Sequence, residues 1–271
     1  MYEDLKGVSG WLGYTDYVLV KELLEFQGSE GLAGGVVEIG VHHGKSFVPL
    51  ATYSGADPCY AIDVFGDQGA NVDRSGHGDR ERFVATLKRF GVDLGRLTID
   101  QRRSADVSAD DIVSRVGRVR FFHIDGGHHV DAVTGDIALA LETVAEHGII
   151  AIDDVFRPEW PEVSIGVFRS AALAASDFVP FAIGFNKTYL CAAGHAAAYR
   201  EALQRSEFLR AVKWRVYEVE GSPIDVYQRY PLPEWDMWTL LGWVLETYFP
   251  RTFLAVSRRR TPRFLGRLIP R

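Results

Sequence analysis

Short, almost wholly apolar runs alternate with longer helical stretches from Val36 to Ile152, and this alternation restricts the fold more than any other feature of the chain. Strands that are apolar on both faces are typical of a parallel sheet covered by helices on both sides. The sequence therefore predicts a doubly wound α/β fold. The predicted strands are residues 36–41, 60–64, 97–100, 118–124 and 149–152, and the predicted helices between them are residues 45–53, 79–90, 109–116 and 131–146.

The end of the predicted sheet breaks this alternation. After a helix over residues 165–175, two further strands, residues 178–185 and 188–193, are joined only by Asn186 and Lys187. So short a connection can make only an antiparallel hairpin. We therefore expect a mostly parallel, seven-stranded sheet whose last strand is antiparallel. This differs from the dinucleotide-binding dehydrogenase plan, in which the sheet is parallel throughout.

Three parts of the chain follow from the pattern. Residues 1–35 form an N-terminal helical segment, in which Thr15 and Asp16 are candidate caps of a helix over residues 15–27. Residues 36–195 form the main domain, and residues 196–271 form a C-terminal α+β appendage. The last predicted helix, from about 234 to 248, carries Trp235 and Trp238 and is apolar on more than one face. Such a helix is usually buried against the body or a second subunit, which makes a homodimer possible.

The charge and the two cysteines exclude several classes of function. A net charge of −6 and a pI near 5.8 argue against nucleic acid or an anionic membrane as the main partner. The segment from Arg258 to Arg271 holds six arginines and no acid. It is expected to be solvated and mobile, with docking onto an anionic partner as the alternative. Cys59 and Cys191 lie in apolar runs and predict no disulfide. Without a signal-peptide pattern or a transmembrane run, a cytoplasmic protein is expected.

The first predicted strand leads into a glycine-containing loop. Gly40 and Gly44 allow a tight turn and a close approach of a ligand to the backbone. His42 takes the place of the middle glycine of the dinucleotide fingerprint, where a pyrophosphate would be crowded. Asp63, after the second strand, is suited to bind the hydroxyls of a ribose. Glu38 lies among apolar neighbours and needs a partner, which a cationic ligand could supply.

These residues, with Ser104-Ala105-Asp106 after the third strand and the antiparallel last strand, resemble class I S-adenosylmethionine-dependent methyltransferases. The resemblance covers roughly residues 30–195. It implies S-adenosylmethionine as cofactor, with the glycine loop at its methionine end, an acid on its ribose and the segment after the third strand along its adenine. The residues that take these roles by resemblance are Glu38, Gly40, Gly44, Asp63 and Ser104.

Three aspartates end two neighbouring predicted strands. Asp125 follows the fourth strand, and Asp153 and Asp154 end the fifth. Since the carboxyl ends of parallel neighbours lie side by side, these carboxylates converge at the edge where α/β sheets bind ligands. They repel one another unless a cation lies between them. Oxygen ligands favour Mg²⁺, with Mn²⁺ or Ca²⁺ possible. Alternatively, Asp153 and Asp154 form a polar strand end and Asp125 caps the next helix.

The same acids resemble the magnesium-dependent sugar O-methyltransferases, in which an Asp-x-x-His motif after strand four and an acid pair after strand five recur. Asp125-Gly126-Gly127-His128 and Asp153-Asp154 match both features. The resemblance implies that these three aspartates bind Mg²⁺ and that the acceptor is a hydroxyl of a sugar or glycoside, from a natural product or a polysaccharide precursor. Asp125 and His128 are then the catalytic pair, with His128 as the candidate base. His129 and His123 compete with it for that role.

The acceptor is less well defined by the sequence. A polar, glycine-rich loop from Gly66 to Gly78 and the segment with Glu159 and Trp160 are predicted to lie at the same sheet edge. Long loops at such an edge usually bind ligands. Polar and aromatic groups together suit a sugar and also admit a catechol. Two alternatives therefore stay open: a catechol or phenol O-methyltransferase, and a cofactor-binding module without catalysis.

Overall fold

A computed structural model of the protein describes residues 1–219, 221–227 and 237–258. The predicted helix start with Trp235, and the arginine-rich tail beyond Arg258, lie outside these residues. Within them, nine strands form one sheet in the order β3-β2-β1-β4-β5-β7-β6-β9-β8. The strands are β1 (Gly35–Ile39), β2 (Cys59–Ile62), β3 (Leu97–Asp100), β4 (Val119–Ile124), β5 (Val144–Asp153), β6 (Phe178–Ile183), β7 (Lys187–Ala192), β8 (Arg215–Val219) and β9 (Ser222–Val226).

Helices cover both faces of this sheet. Two single-turn 3₁₀ helices, Leu94–Arg96 and Ser104–Asp106, flank β3. The α-helices are α1 (Tyr2–Leu5), α2 (Tyr14–Ser29), α3 (Phe47–Tyr53), α4 (Arg80–Arg89), α5 (Ala109–Val116), α6 (Val130–Thr143), α7 (Pro161–Arg169), α8 (Ala171–Ala174), α9 (Ala193–Leu203), α10 (Glu207–Val212), α11 (Met237–Tyr248) and α12 (Pro250–Arg258).

The predicted strand directions are confirmed. Strands β3, β2, β1, β4 and β5 run parallel, and every residue of β1, β2 and β4 is buried. Burial on both faces explains why these strands show no alternation of polar and apolar residues. Strand β7 is antiparallel to β5 and to β6, and Asp153 lies opposite Lys187 in the β5–β7 register. The doubly wound sheet with an antiparallel end is therefore the fold of the chain.

The prediction of seven strands was wrong, because the described part of the sheet has nine. The segment predicted as an appendage supplies β8 and β9, and β9 pairs parallel with β6 so that the hairpin extends the same sheet. The predicted end of the helix before β5 was also wrong. Helix α6 ends at Thr143, and β5 begins at once with Val144. Gly148 lies inside β5, where a Cβ would meet the Val119 carbonyl oxygen at 2.8 Å.

The N-terminal helix α2 packs on one face of the sheet and brings polar groups into the interior. The Gln27 amide donates to the Arg120 carbonyl at 2.9 Å and to the Tyr199 hydroxyl at 3.0 Å. Helix α2 begins after its N-cap residue Gly13, so Thr15 and Asp16 lie inside its first turn and the prediction that they cap it was wrong; both are buried. Cys59 and Cys191 are free and buried, in agreement with the prediction. Among the described helices, none combines the length and the apolar character that crossing a membrane requires.

Candidate active site

A cavity of about 1020 Å³ lies at the carboxyl edge of the parallel strands. Its walls come from the N-terminal segment, the loops after β1 to β5, the β6–β7 turn and the end of α11. Most of the predicted site residues line it, so the structure brings the predicted cofactor half and metal half into one space. The predicted residues along its wall are Gly40, Asp63, Ser104, Asp125, His128, Asp153 and Asp154.

The first loop approaches its neighbour so closely that glycine is required. Gly40 has a φ of +84°, and a Cβ there would lie 1.7 Å from the Asp125 carbonyl oxygen. Gly44 has a φ of +89°, and its Cβ would lie 3.1 Å from the Phe83 ring. These backbone conformations favour glycine because it has no side chain to clash. Gly40 thus lets the loop after β1 lie directly against the loop after β4.

Asp63 holds this loop in place. One carboxylate oxygen accepts from the backbone N–H of His42 at 2.7 Å, and the other accepts from that of Phe65 at 2.5 Å. Burial raises the pKa of Asp63 above its usual value. Each carboxylate oxygen has a second lone pair, so the group can still accept a hydrogen bond from a ligand in the cavity.

Glu38 lies behind the cavity wall. It is fully buried, accepts from the Ser46 hydroxyl, and contacts Nδ1 of His123 at 2.9 Å. Burial raises the pKa of Glu38 to about 8. Among the described residues that line the cavity, Ser46 is present and Glu38 is absent. Glu38 therefore positions the wall through Ser46, and its predicted contact with the cofactor stays a prediction.

Asp125, His128 and Asp154 form what we call the outer cluster. Each offers one ligand atom, and these atoms lie within 4.8 Å of one another. Burial and the neighbouring carboxylate of Asp153 raise the pKa of Asp125 well above its usual value. The Asn186 side chain donates to Asp154 at 2.7 Å. Converging carboxylates with a histidine nitrogen are a donor set that fits a divalent cation.

Asp153 and Lys187 form a second group, which we call the inner pair. The Lys187 ammonium donates to Asp153, and the two side chains are 2% and 4% exposed. The Asn186 side chain donates to the other Asp153 oxygen at 2.5 Å. Asp16 approaches from α2 and accepts from the Asn186 backbone at 2.9 Å. Burial raises the pKa of Asp16 to about 6. The chain itself thus supplies the cation that faces Asp153, whose role as a metal ligand stays a prediction.

His128 is held on three sides. Its backbone N–H and Nδ1 contact one Asp73 oxygen at 2.6 and 2.8 Å, and Nε2 lies 3.2 Å from Asp154. The ring stacks on Trp160, with centroids 4.1 Å apart and planes inclined by 19°. Burial alone would lower its pKa, but the hydrogen bonds to Asp154 and Asp73 raise the pKa of His128 to about 10.

The other candidate histidines differ from His128 in position. His123 is 2% exposed beside Glu38, and burial lowers its pKa well below the usual value. His129 lines the cavity, but its buried Nδ1 has no hydrogen-bond partner among the described residues. His128 therefore has the best-defined geometry at the acids.

Residues 37–155 match a protein family described as a methyltransferase domain. Residues 37–155 form a methyltransferase domain. The match spans the glycine loop, Asp63 and all three aspartates of the site, and it confirms the prediction of a methyltransferase domain in this part of the chain. No curated protein sequence matches the chain significantly.

Solved structures share the fold of the methyltransferase domain. The O-methyltransferase NovP is 14% identical, with a TM-score of 0.52, and the alignment covers 64% of this chain and 78% of NovP. An O-methyltransferase from Bacillus cereus in complex with SAH is 17% identical, with a TM-score of 0.51 and coverage of 70% and 85%. At this identity the similarity establishes the class I methyltransferase fold.

The sequence did not reveal three polar partners of the methyltransferase site. By its local pattern Lys187 is a turn residue, Asp16 a candidate helix cap and Asp73 one polar residue of a loop. Each meets the site only through a contact distant in sequence; Asp73 and His128, for example, are 55 positions apart. One signal was available for Lys187, because a lysine that begins an apolar strand-like run needs a buried counter-charge.

Proposed function

We propose that this protein is an S-adenosylmethionine- and Mg²⁺-dependent O-methyltransferase that acts on a hydroxyl of a sugar or glycoside. The observation that carries the proposal is the outer cluster, whose three ligand atoms lie within 4.8 Å of one another. It shares a cavity with the glycine loop and Asp63. A methyl donor and an activated hydroxyl need to meet in one space for transfer to occur.

The cofactor half is suited to an amino-acid and nucleoside ligand. Gly40 leaves the backbone of the first loop open to the cavity, and Asp63 offers a carboxylate at the end of β2. Ser104 lines the wall beyond β3. We infer that the methionine end of S-adenosylmethionine lies along Gly40, its ribose on Asp63 and its adenine near Ser104.

The outer cluster is suited to Mg²⁺. Asp125 and Asp154 would hold the ion, with His128 at its side and Asp153 as the third predicted ligand. When bound, Mg²⁺ would orient the acceptor hydroxyl and make its proton easier to remove. Two carboxylates this close together, of which Asp154 is buried and Asp125 half-buried, repel one another unless a cation lies between them, which supports this assignment.

His128 is the proposed base. Its Nδ1 is engaged by Asp73, so Nε2 is the nitrogen that faces Asp154. In the reaction Nε2 takes the proton of the acceptor hydroxyl, the oxygen bonds to the methyl carbon, and the carbon–sulfur electron pair stays on sulfur. The pKa of about 10 belongs to a His128 that faces an ionised Asp154. Neutralising this carboxylate lowers that pKa and frees Nε2 to accept the proton.

The outer part of the cavity supports a sugar or glycoside acceptor. It combines the aromatic residues Trp11 and Trp160 with the polar side chains of Asn71, Arg157 and Glu159. Aromatic faces with hydrogen-bonding groups suit a polyhydroxylated ring, whereas a catechol favours a flat apolar pocket. We also propose a cytoplasmic location and a homodimer, the latter supported by exposed Leu240 and Leu241 on α11.

Labelled S-adenosylmethionine and a panel of sugars, glycosides and catechols test this proposal. We expect methyl transfer to at least one sugar or glycoside hydroxyl, and complete loss of transfer in excess chelator. Turnover that persists in chelator would remove the metal role. Transfer to catechols alone would favour the phenol-type enzyme, and calorimetric binding of the cofactor without any turnover would favour a non-catalytic module.

A further inference from the structure

The loop between β2 and α4 sends one carboxylate to the proposed base. Asp73 lies in this loop and is 14% exposed. One of its oxygens accepts from the backbone N–H of His128 at 2.6 Å and contacts Nδ1 at 2.8 Å. The other oxygen accepts from the backbone N–H of Ser75 at 3.0 Å. Both oxygens are therefore occupied, and Asp73 is tied to its own loop and to His128 together.

The Asp73 contact decides which nitrogen of His128 can act. An ionised carboxylate only accepts hydrogen bonds, so Nδ1 must carry a proton and donate it. In the neutral ring the lone pair then lies on Nε2, the nitrogen that faces Asp154. Trp160 stacks on the ring and restricts its rotation about the Asp73 contact.

We propose that Asp73 is a positioning residue that fixes the tautomer and orientation of His128, so that the loop after β2 contributes to catalysis. This inference rests on the proposed function, in which His128 is the base. Asp73 lines the same cavity, and its hydrogen bonds to the outer cluster go to His128. We therefore expect its loss to affect turnover more than binding of the cofactor.

Asp73→Asn tests this role, because an amide keeps the size of the side chain but places a donor where one accepting oxygen was. If the amide N–H faces Nδ1, it forces the proton onto Nε2, the wrong tautomer. If the amide oxygen faces Nδ1 instead, the charged acceptor is lost and the hydrogen bond that holds the ring is weaker. We expect kcat to fall about 10²-fold, in the range of one lost general-base contribution, while KM for S-adenosylmethionine stays within about twofold. The matched control is Asp67→Asn. Asp67 makes the same turn contact within this loop, to the Gly69 backbone at 3.1 Å, and is absent from the described cavity wall.

The double variant with His128→Ala distinguishes a positioning role from a structural one. If Asp73 acts only through His128, Asp73→Asn lowers kcat no further once the imidazole is gone. An equal loss in both backgrounds overturns the inference, as does an Asp73→Asn enzyme with normal kcat beside an impaired His128→Ala enzyme. A fully active His128→Ala enzyme overturns the proposed base and, with it, this role of Asp73.

Discussion

The outer cluster and the inner pair lie side by side on one sheet edge but differ in how their charge is balanced. Asp153 faces Lys187, whose side chain is 2% exposed. This cation is part of the chain and cannot be exchanged for another. Asp125 and Asp154 converge on His128, whose side chain is 11% exposed and lines the cavity, and the Arg157 Nε lies 3.9 Å from Asp154. From this difference we expect the inner pair to serve stability and the outer cluster to serve the proposed binding of an exchangeable cation.

Asp154→Asn should have the largest effect, because it removes a proposed ligand of the ion and the partner of His128. We expect methyl transfer to fall about 10⁴-fold, equivalent to about 5 kcal/mol. Binding of S-adenosylmethionine, measured by calorimetry, should change little because the proposed cofactor site lies along the glycine loop and Asp63, on the other half of the cavity. Asp93→Asn, an exposed cap far from the cavity, is the control. Equal losses of cofactor affinity and of the methyl-transfer rate would contradict the proposed division of the cavity into a cofactor half and a metal half.

Lys187→Met should affect folding most. It leaves Asp153 buried without its counter-charge, which we expect to lower the free energy of unfolding by about 4 kcal/mol. Chemical denaturation measures this loss. Lys6→Met, which removes an exposed pair with Glu3 at 2.9 Å, should cost at most about 1 kcal/mol. A loss from Lys187→Met no larger than this control would show that the inner pair contributes little to stability.

His128→Ala should lower kcat about 10²-fold while the ion stays bound to the two aspartates. Single-turnover rates and Mg²⁺ titration measure the two properties separately. His195→Ala, on α9 and away from the cavity wall, should leave both unchanged. Retained activity in His128→Ala would shift the base to His129 or to water.

Asp16 should give the smallest of these effects, a pH dependence of the free energy of unfolding. Burial raises its pKa from 3.8 to about 6, so the folded protein keeps a proton that the unfolded chain releases at lower pH. The free energy of unfolding then falls as pH rises through this window, by about 1 kcal/mol between about pH 5 and pH 7. Denaturation at both pH values should show that Asp16→Asn loses this part of the slope. An unchanged slope would mean that Asp16 stays ionised beside Lys187.

The sequence was sufficient for the parts of the fold that depend on local pattern. The apolar runs fixed the parallel strands, and the short Asn186–Lys187 connection fixed the antiparallel hairpin. Contacts between distant segments were not accessible in this way. The pairing of β6 with β9 joins Ala182 to Asp225, and no local pattern marks it. Gly148 looked like a helix end because a glycine needed for close strand contact has the same local signature.

The candidate site also contains residues that local pattern predicts and residues that only contacts between distant segments bring in. The three aspartates and His128 were found because the ends of parallel neighbours meet, so adjacent strands predict adjacent residues. Their partners were missed, since Lys187 and Asp73 reach the site from an antiparallel strand and a loop. Charge compensation of Asp153 depends on a residue 34 positions away in sequence.

Calorimetric titration of Mg²⁺ into the wild-type protein and into Asp154→Asn tests the central claim most directly. We expect one ion to bind the wild-type protein and no measurable binding to the variant, since Asp154 is a proposed ligand of the ion in the outer cluster. An absence of binding to the wild-type protein, or equal binding to both proteins, would contradict the account.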